Sequence, residues 1–276
     1  KAKTKATRWK ISDELWNKIE PLLPVPVNTH PRGGGKKRVF YRTVMNGILF
    51  VLKTGCQWKA LDATGICSGS TAHARFQEWE RAGVFLRFWE NGLLEYDDLH
   101  GLDWKWQSMD GAMTKAPLGG GKTGKNPTDR GKTGVKRSVL CDGTGIPIGL
   151  AVDGANRHDM KLMQATLNSI VLQRPEPGPY HRQHLCLDKG YDFDEVRQLA
   201  EQFGYTAHIK SRGDEVQELR IDTRKRARRW VVERTHSWLN RFRRILVRWE
   251  KKAENYVGLL HFVFGLIAFR SLGIDV

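Results

Sequence analysis

Three acidic residues, far apart in sequence, have the side chains needed for metal-assisted phosphoryl transfer. Asp110 lies in WQSMDGA, Asp188 in LCLDKGYD and Glu233 in RRWVVERTHSWLNRFRR. Carboxylates suit Mg²⁺, which prefers oxygen ligands and keeps water that a substrate can displace. Two such ions, about 4 Å apart, stabilise the attacking and the leaving oxygen of a phosphodiester. The three acids are therefore candidate catalytic and metal-binding residues for two divalent ions, Mg²⁺ or Mn²⁺.

Other acids compete for the same roles. Asp142 precedes Gly143 and is explained as a hairpin-turn residue, whereas Asp153, before Gly154, is harder to dismiss. Asp159 is interpreted as an N-cap or first-turn acid of a helix. Residue types alone do not decide which acids bind metal.

A strong positive charge points to a polyanionic partner. The 276 residues carry a formal net charge of +16 and 40% apolar residues, enough for a substantial core. Residues 210–252 contain fifteen Lys or Arg and six Asp or Glu, which supply more than half of that charge. Ten Trp residues make nucleic acid the favoured partner, and a solvated basic face is the alternative.

The remaining composition favours a cytoplasmic, nucleoid-associated protein and no membrane partner. The longest apolar stretch, residues 257–269, is interrupted by His261 and is too short to span a bilayer, so it is predicted to form a buried C-terminal helix. Four scattered cysteines without a C-x-x-C pair argue against a disulfide scaffold or a zinc ribbon. His181, His184 and Cys186 could contribute metal ligands, but no fourth ligand is evident.

The first hundred residues predict a small helical domain. A basic arm covers residues 1–10, a Pro/Gly-rich linker covers 24–38, and helical periodicity marks 42–55 and 70–82. The last two segments have the spacing of a helix-turn-helix. In that interpretation four side chains face a DNA groove: Thr71, His73, Arg75 and Gln77. A helical packing module without base contacts is the equal alternative.

From about residue 101 to 276 the pattern predicts an α/β domain. Five short apolar runs read as strands, the second and third are joined by a DGTG hairpin turn, and the later ones are separated by helices. Three strands, then helix, strand, helix and strand, make an RNase H-like mixed five-stranded sheet flanked by helices. The first and fourth strands should be neighbours, with Asp110 ending one and Asp188 ending the other.

Glu233 falls within a long predicted helix whose core stripe includes Val231, Trp238 and Ile245. It lies on the opposite, polar face, whose other members are Arg226, Arg229, Asn240 and Arg244. That face suits phosphate contacts, and a surface helix with ion pairs is the alternative.

The glycine-rich stretch GGGKTGKNPTDRGKTG does not form a phosphate-binding P-loop. Asn126 follows Gly124 and Lys125 where Ser or Thr is required, so we expect no nucleotide cofactor. A mobile basic loop that contacts DNA explains the stretch better.

Residues 104–272 resemble the catalytic domain of the DDE transposases of the bacterial insertion-sequence-five family, and residues 10–100 resemble its helical N-terminal domain. The resemblance rests on WQSMDGAMTKAP, LCLDKGYD, the glycine-rich stretch through ANRHD, and RRWVVERTHSWLNRFRRILVRWEKKAENY. It implies that Asp110, Asp188 and Glu233 are the catalytic acids. The family's Y-R-E-K pattern is only partly kept, because Arg226 and Asn240 occupy its Tyr and Lys positions. The step from Asp188 to Glu233 leaves no room for a large β-rich insertion.

The resemblance implies a transposase that binds terminal inverted repeats of double-stranded DNA, cleaves them and joins them to a target. Because such a transposase acts on both ends of its element, the resemblance implies at least a homodimer. Besides the four groove-facing side chains, the expected DNA contacts are Lys122, Lys125, Arg130, Lys132, Lys136, Arg226, Arg229, Arg241 and Arg244. A retained DNA-binding regulator, or a nuclease that cuts without joining, are the alternative functions.

Overall fold

The computed structural model describes residues 9–25, 38–209 and 229–276. These residues form two compact units. The first covers the described parts of 1–92 with 241–245 and 254–276, and the second covers those of 93–240 with 246–253. Arg226, most of the basic arm and most of the Pro/Gly linker lie outside the described residues. The boundary at residue 100 stays a prediction.

Nine α-helices occur in the described ranges: α1 (Asp13–Ile19), α2 (Tyr41–Thr54), α3 (Gly69–Arg81), α4 (Val84–His100), α5 (Asp159–Asn168), α6 (Asp194–Gln202), α7 (Trp230–Asn240), α8 (Arg243–Leu246) and α9 (Ala253–Ser271). Short 3₁₀ helices cover Glu20–Leu22, Trp58–Thr64 and Lys189–Tyr191. No described helix has both the length and the apolar character needed to cross a membrane.

The helix boundaries in the first unit follow local sequence signals. Ser12 caps α1 by accepting a hydrogen bond from the Leu15 amide at 3.2 Å. Gly55 ends α2 with a φ of 73°, in the left-handed region that favours glycine. Between α2 and α3 lie residues 55–68, including a 3₁₀ helix, where a helix-turn-helix has a turn of about three or four residues. This connection favours the helical packing module.

The C-terminal helix α9 supplies much of the core of the first unit. Phe262 lies against Phe85 and Phe88 with ring centroids 5.2 and 5.7 Å apart, and Phe264 meets Trp89 edge-on at 5.0 Å. All five of these rings are almost fully buried. The prediction of a buried C-terminal helix is confirmed, and its contacts group it with the N-terminal helices.

The second unit contains a six-stranded mixed sheet. Its strands are β1 (Trp106–Lys115), β2 (Gly124–Lys125), β3 (Thr133–Cys141), β4 (Pro147–Gly154), β5 (Gln183–Leu187) and β6 (Tyr205–Ile209). The five long strands run in the order β4-β3-β1-β5-β6, with β1, β5 and β6 mutually parallel and β3 antiparallel to β1 and β4. The RNase H-like fold is confirmed, and the sixth strand is a two-residue addition from the glycine-rich stretch.

Strand β1 is longer than predicted. Its parallel pairing with β5 ends at Ser108 and Cys186, but its antiparallel pairing with β3 continues to Lys115. Asp110 is therefore inside β1 rather than at its end. The small and polar residues after Asp110 stay in strand conformation because β3 supplies a full ladder of backbone hydrogen bonds.

Arg248 anchors the start of the glycine-rich stretch, which the sequence suggested was mobile. Its guanidinium, 1% exposed, donates to four carbonyl oxygens at 2.7–3.2 Å: those of Gly121, Lys122, Glu250 and Lys251. A planar guanidinium can satisfy several acceptors at once. The base of the loop is thereby fixed to residues 246–253.

Replacing Arg248 by Met should lower the free energy of unfolding by about 3 kcal/mol, because buried carbonyls would lose their donors. Urea denaturation measures this change. Arg248→Lys, which keeps the charge but not the planar fork, should recover only part of the loss. A loss below about 0.5 kcal/mol, typical of a surface substitution, would contradict the anchoring role.

Candidate active site

Asp110 and Asp188 come together because of how the parallel strands pair. Asp110 lies two residues beyond the last parallel pair of β1 and β5, and Asp188 directly follows β5. The Asp188 carboxylate also caps the 3₁₀ helix after it, where Oδ1 accepts a hydrogen bond from the Gly190 amide at 2.8 Å. The prediction that the first and fourth long strands are neighbours in the sheet is confirmed.

Glu233 is in the first turn of α7, which packs against β1 and β3. The buried side of this helix is formed by Val231, Val232, Thr235, His236 and Leu239. Glu233 lies on the open side with its side chain 52% exposed, and its Oε1 is 3.5 Å from Arg229 Nε. The ion pair considered as an alternative is present, but it leaves much of the carboxylate accessible.

The predicted long helix around Glu233 is broken. It ends at Asn240, and α8 begins at Arg243, so the side-chain stripe does not continue. Arg244 was expected on the polar face, but it is 4% exposed and donates Nη1 to the Cys56 carbonyl at 2.9 Å. A single helical wheel therefore misplaces Arg244, although Ile245 is buried as the core stripe predicted.

The three candidate acids line one cavity of about 400 Å³ together with two cations. Its lining residues are Asp110, Asp188, Lys189, Arg229 and Glu233. Lys189 was not among the predicted site residues, although it directly follows Asp188. Carboxylates suit metal ions and cationic side chains suit phosphate groups, so this open cavity suits a ligand that brings both.

Asp110 has an unusual protonation equilibrium. Its pKa is raised to about 7, chiefly because burial removes the carboxylate from water and also because Asp188 and Asp159 are negative. The Gly111 amide, which donates to Oδ1 at 2.8 Å, and Arg229 oppose this shift. Near neutral pH the site therefore has excess negative charge that either a proton or a cation can balance.

The donor set fits a hard divalent cation. All three acids offer carboxylate oxygens, and the excess charge around Asp110 favours cation binding. Within the described ranges no three His, Cys, Asp or Glu side chains are arranged to hold one ion by themselves.

We expect Asp110→Asn to stabilise the metal-free protein above neutral pH. The folded-state pKa of Asp110 is about 7, and the unfolded value is about 3.9. Stability is therefore lost as pH rises between these values, on the order of 4 kcal/mol in total. Asparagine has no proton to lose. Thermal unfolding in EDTA should show the Tm advantage of the variant growing from pH 4 to 8, and parallel curves would contradict the shift.

Contacts from α7 to the sheet fix Glu233 relative to Asp110. His236 Nε2 lies 3.4 Å from the Asp110 carbonyl oxygen, and Thr235 donates Oγ1 to the Gly145 carbonyl at 2.7 Å. Arg137 donates Nη2 to Asn240 Oδ1 at 2.6 Å. The pKa of His236 is lowered to about 3, first by burial and then by Arg137, so its imidazole is neutral.

The basic residues predicted to contact DNA differ in their exposure to solvent. Lys122, Lys125, Arg130 and Lys132 are exposed, as is Arg241. Lys136 is 6% exposed and pairs with Asp159 at 3.1 Å, so it presents little surface to a phosphate. Neither its burial nor that of Arg244 follows from local sequence.

The four side chains predicted to face a groove all lie on α3, partly exposed. Arg75 forms an ion pair with Glu78, and His73 stacks on Trp58 with ring centroids 5.0 Å apart. The backbone carbonyl oxygen of Gln77 accepts a hydrogen bond from Arg81 Nε at 3.1 Å. Their contact with DNA stays a prediction.

His181, His184 and Cys186, considered above as metal ligands that lack a fourth partner, do not form a metal site in the described part of the chain. His184 Nδ1 instead lies 3.0 Å from His208 Nε2, and its ring stacks on Trp106 at 4.3 Å. Cys186 is buried, and all four cysteines are free. These contacts give the histidines a packing role at the opposite end of β5 from Asp188.

The other competing acids also have defined partners. Asp142 accepts from the Ile146 and Thr144 amides at 2.8 and 3.0 Å, as a turn residue should. Asp153 pairs with Arg157 at 3.1 Å. Asp159 lies in the first turn of α5, as predicted, but His158 is the N-cap and the Asp159 carboxylate is also close enough to Asp110 to affect its pKa.

Comparison with known proteins relates both parts of the chain to transposases. Residues 106–264 match the family described as "Transposase DDE domain", and residues 11–89 match that described as "Putative transposase of IS4/5 family". The "Putative transposase for insertion sequence element IS402" of Burkholderia cepacia is 33% identical over 153 residues, which cover 55% of this chain and 70% of that protein. The "Insertion element IS402 uncharacterized 16.2 kDa protein" of the same organism is 39% identical over 118 residues, covering 42% and 80%.

Solved structures give a weaker likeness. The catalytic domain of Mos1 mariner transposase matches with 14% identity and a TM-score of 0.29, covering 70% of this chain and 95% of that chain. A pre-cleavage Mos1 transpososome matches with 14% identity and a TM-score of 0.30, covering 95% and 87%. The relationship rests on the family models and the sequence relatives.

Proposed function

The chain belongs to the DDE transposases of the IS4/IS5 type, and on that premise we propose that Asp110, Asp188 and Glu233 are its catalytic acids. As a DNA transposase it is a polynucleotidyl transferase. The finer activity we propose is binding of terminal inverted repeats, hydrolysis that exposes 3′-OH ends, and joining of those ends to target DNA.

One observation carries this proposal. The three acids line a single cavity just beyond the last parallel residue pair of β1 and β5, and Asp110 has its pKa raised to about 7. Ligands in open α/β sheets bind where the strand order reverses, which is at this edge between β1 and β5. A perturbed acid in such a cleft is a candidate for chemistry.

We propose that Asp110, Asp188 and Glu233 would hold two divalent ions. Bound there, the ions would activate the attacking oxygen and stabilise the leaving oxygen of a phosphodiester. The protein positions the acids through β1, through the cap that follows β5, and through the contacts of α7. Arg229 and Lys189 line the same cavity and are suited to hold the non-bridging oxygens of the scissile phosphate.

Double-stranded DNA is the proposed partner, held by exposed cations outside the cavity. Lys122, Lys125, Arg130 and Lys132 project from the segment that Arg248 anchors, and Arg241 follows α7. Such contacts would place the duplex without reading its sequence. Because two transposon ends must be joined to one target, we propose at least a homodimer.

One assay distinguishes the proposed activity from its alternatives. Paired end DNA, a supercoiled target plasmid and Mg²⁺ are incubated with the full chain, and the products are separated on a gel. Cut ends that become joined to the plasmid support the transposase activity. Cut ends without joined product would favour the nuclease, and shifted but uncut DNA would favour the regulator.

A further inference from the structure

We propose that a groove at the start of β5 binds single-stranded DNA, with one unpaired base stacked on the ring of Tyr180. The groove has a volume of about 640 Å³, in the range of pockets that hold one small ligand. It lies at the opposite end of β5 from Asp188, and the length of this strand separates the two sites by about 16 Å. The inference rests on the proposed function, which makes DNA the substrate, but it concerns a separate site.

Two neighbouring segments of the second unit form the groove. Residues 102–105 lead into β1, and residues 179–184 lead into and begin β5. Because β1 and β5 are parallel and adjacent, the segments before them come to the same edge of the sheet. The His184 amide donates to the Lys105 carbonyl at 2.9 Å and joins the two segments.

Tyr180 is presented on a preformed turn. The His181 amide donates to the Gly178 carbonyl at 3.1 Å, and the Gly178 amide donates back to the His181 carbonyl at 3.3 Å. Pro179 occupies the second position of this four-residue turn, where its fixed φ is favoured. Tyr180 follows at the tip and is 94% exposed. A ring already held in place loses little conformational entropy when a base stacks on it.

Contacts at the base of the turn fix it to the rest of the second unit. Gln183 is 3% exposed, and its Nε2 donates to the Pro175 carbonyl at 2.8 Å. Pro177 packs against Gly204, where a side chain would collide with the proline ring. The position of Tyr180 beside the groove therefore does not depend on a ligand.

The charged side chains of the groove suit phosphates. Lys105 and Arg182 are exposed, and neither forms an ion pair within the described ranges. Asp103 also lines the groove, but its Oδ1 accepts hydrogen bonds from the Lys105 and Trp106 amides at 3.1 and 3.3 Å. Its charge is thereby partly satisfied by the backbone, and the cations dominate the surface open to a ligand.

Rings and cations together favour a single strand over other occupants. Tyr180 and the partly buried Trp104 lie with Lys105 and Arg182 in one groove, and stacking on aromatic rings beside a basic surface is how proteins hold single strands. A duplex offers phosphates but keeps its bases paired. A second copy of this chain carries the same formal charge of +16, so a basic groove favours a polyanion over it. Strand ends freed by hydrolysis of end DNA would supply the ligand.

Fluorescence anisotropy of a labelled single strand of about 12 nucleotides tests the groove. The full chain is titrated in EDTA, with excess unlabelled duplex to occupy contacts that recognise phosphates alone. Tyr180→Ala should weaken binding about tenfold, which is the scale of losing one stacked base. Tyr180→Phe keeps the ring and is the matched control, so it should bind normally. Because Tyr180 is 94% exposed, both variants should fold.

The salt dependence of the same binding tests the two cations independently. Lys105→Gln with Arg182→Gln should flatten the plot of log K against log salt by up to about 1.4 units, since each phosphate contact of a single strand contributes about 0.7. Arg157→Gln with Arg197→Gln, two cations that already pair with acids, should keep the normal slope. An unchanged slope in the groove variant would contradict the phosphate contacts.

The outcomes separate this inference from the proposed function. Weaker single-strand binding by Tyr180→Ala, with Tyr180→Phe normal, supports the groove. Affinity within twofold for Tyr180→Ala, or an equal loss for a labelled duplex measured alone, would overturn it without affecting the proposed catalytic acids, which joining of end DNA tests. A changed oligomeric state of Tyr180→Ala in light scattering would overturn it by assigning the groove to a second copy. If the unmodified chain bound neither single-stranded nor duplex DNA, the proposed function would fail as well.

Discussion

Replacing Asp188 by Asn should reduce both end cleavage and strand joining by at least about 10³-fold, which is the scale of removing one group that stabilises transition-state charge. The amide is the same size as the carboxylate and can still accept the Gly190 hydrogen bond that caps the following 3₁₀ helix. We therefore expect Tm and end binding to change little. The change is confined to charge at the cavity that Asp110 and Glu233 also line.

Asp192→Asn is the matched control for this prediction. Asp192 lies four residues further along and pairs with Arg197 at 2.6 Å, with each side chain 46% exposed. The control should cleave and join at the normal rate. Gel quantification of cut and joined products checks both variants. Normal joining by Asp188→Asn in Mg²⁺ would exclude Asp188 as a catalytic acid.

Removing the four exposed cations of the glycine-rich stretch should weaken DNA binding on the order of 10²-fold near 0.1 M salt. Because each lost phosphate contact lowers the salt slope by about 0.9, the plot of log K against log salt should flatten by up to about 3.6 units. The loss should be similar for end DNA and unrelated DNA, since phosphate contacts carry no sequence information. Fluorescence anisotropy at several salt concentrations measures both quantities.

The substitutions must respect the backbone of this stretch. Lys122 and Arg130 have φ of 55° and 51°, so asparagine, which tolerates the left-handed region, replaces them, and glutamine replaces Lys125 and Lys132. Arg157→Gln with Arg197→Gln, two cations already paired with acids, is the control and should keep the normal slope. An unchanged slope in the loop variant would place the DNA elsewhere.

The closeness of Asp110 and Asp188 was predictable, because the order of strands in the sheet follows from the way the chain connects them. A hairpin joins β3 to β4 and helices join the later strands, and right-handed crossovers then leave few possible orders. The length of β1 was not predictable. Its second half, GAMTK, has no strand-like alternation and is held by its ladder with β3.

The location of several charged side chains depended on tertiary contacts that no local pattern carries. Arg244 was placed on a polar helix face, but the helix ends before it and its guanidinium lies 5.8 Å from the Trp58 ring centroid. Lys136 reads as one more cation in a basic strand until α5 brings Asp159 beside it.

Glu233 shows a different limit of sequence reasoning. Its acidity and its position on an open helix face were predictable, yet the same pattern fits an ion pair with Arg229, which the structure contains at 3.5 Å. The cavity that it lines with Asp110 and Asp188 distinguishes it from an ordinary surface acid. That cavity depends on how α7 packs on β1 and β3.

Anomalous diffraction from Mn²⁺ in crystals of the full chain bound to end DNA tests the central claim most directly. The proposal predicts two anomalous peaks about 4 Å apart. Oxygens of Asp110, Asp188 and Glu233 and of the scissile phosphate should lie within about 2.5 Å of the ions. Peaks bound by other residues, or DNA seated with no Mn²⁺ among these three acids, would contradict it.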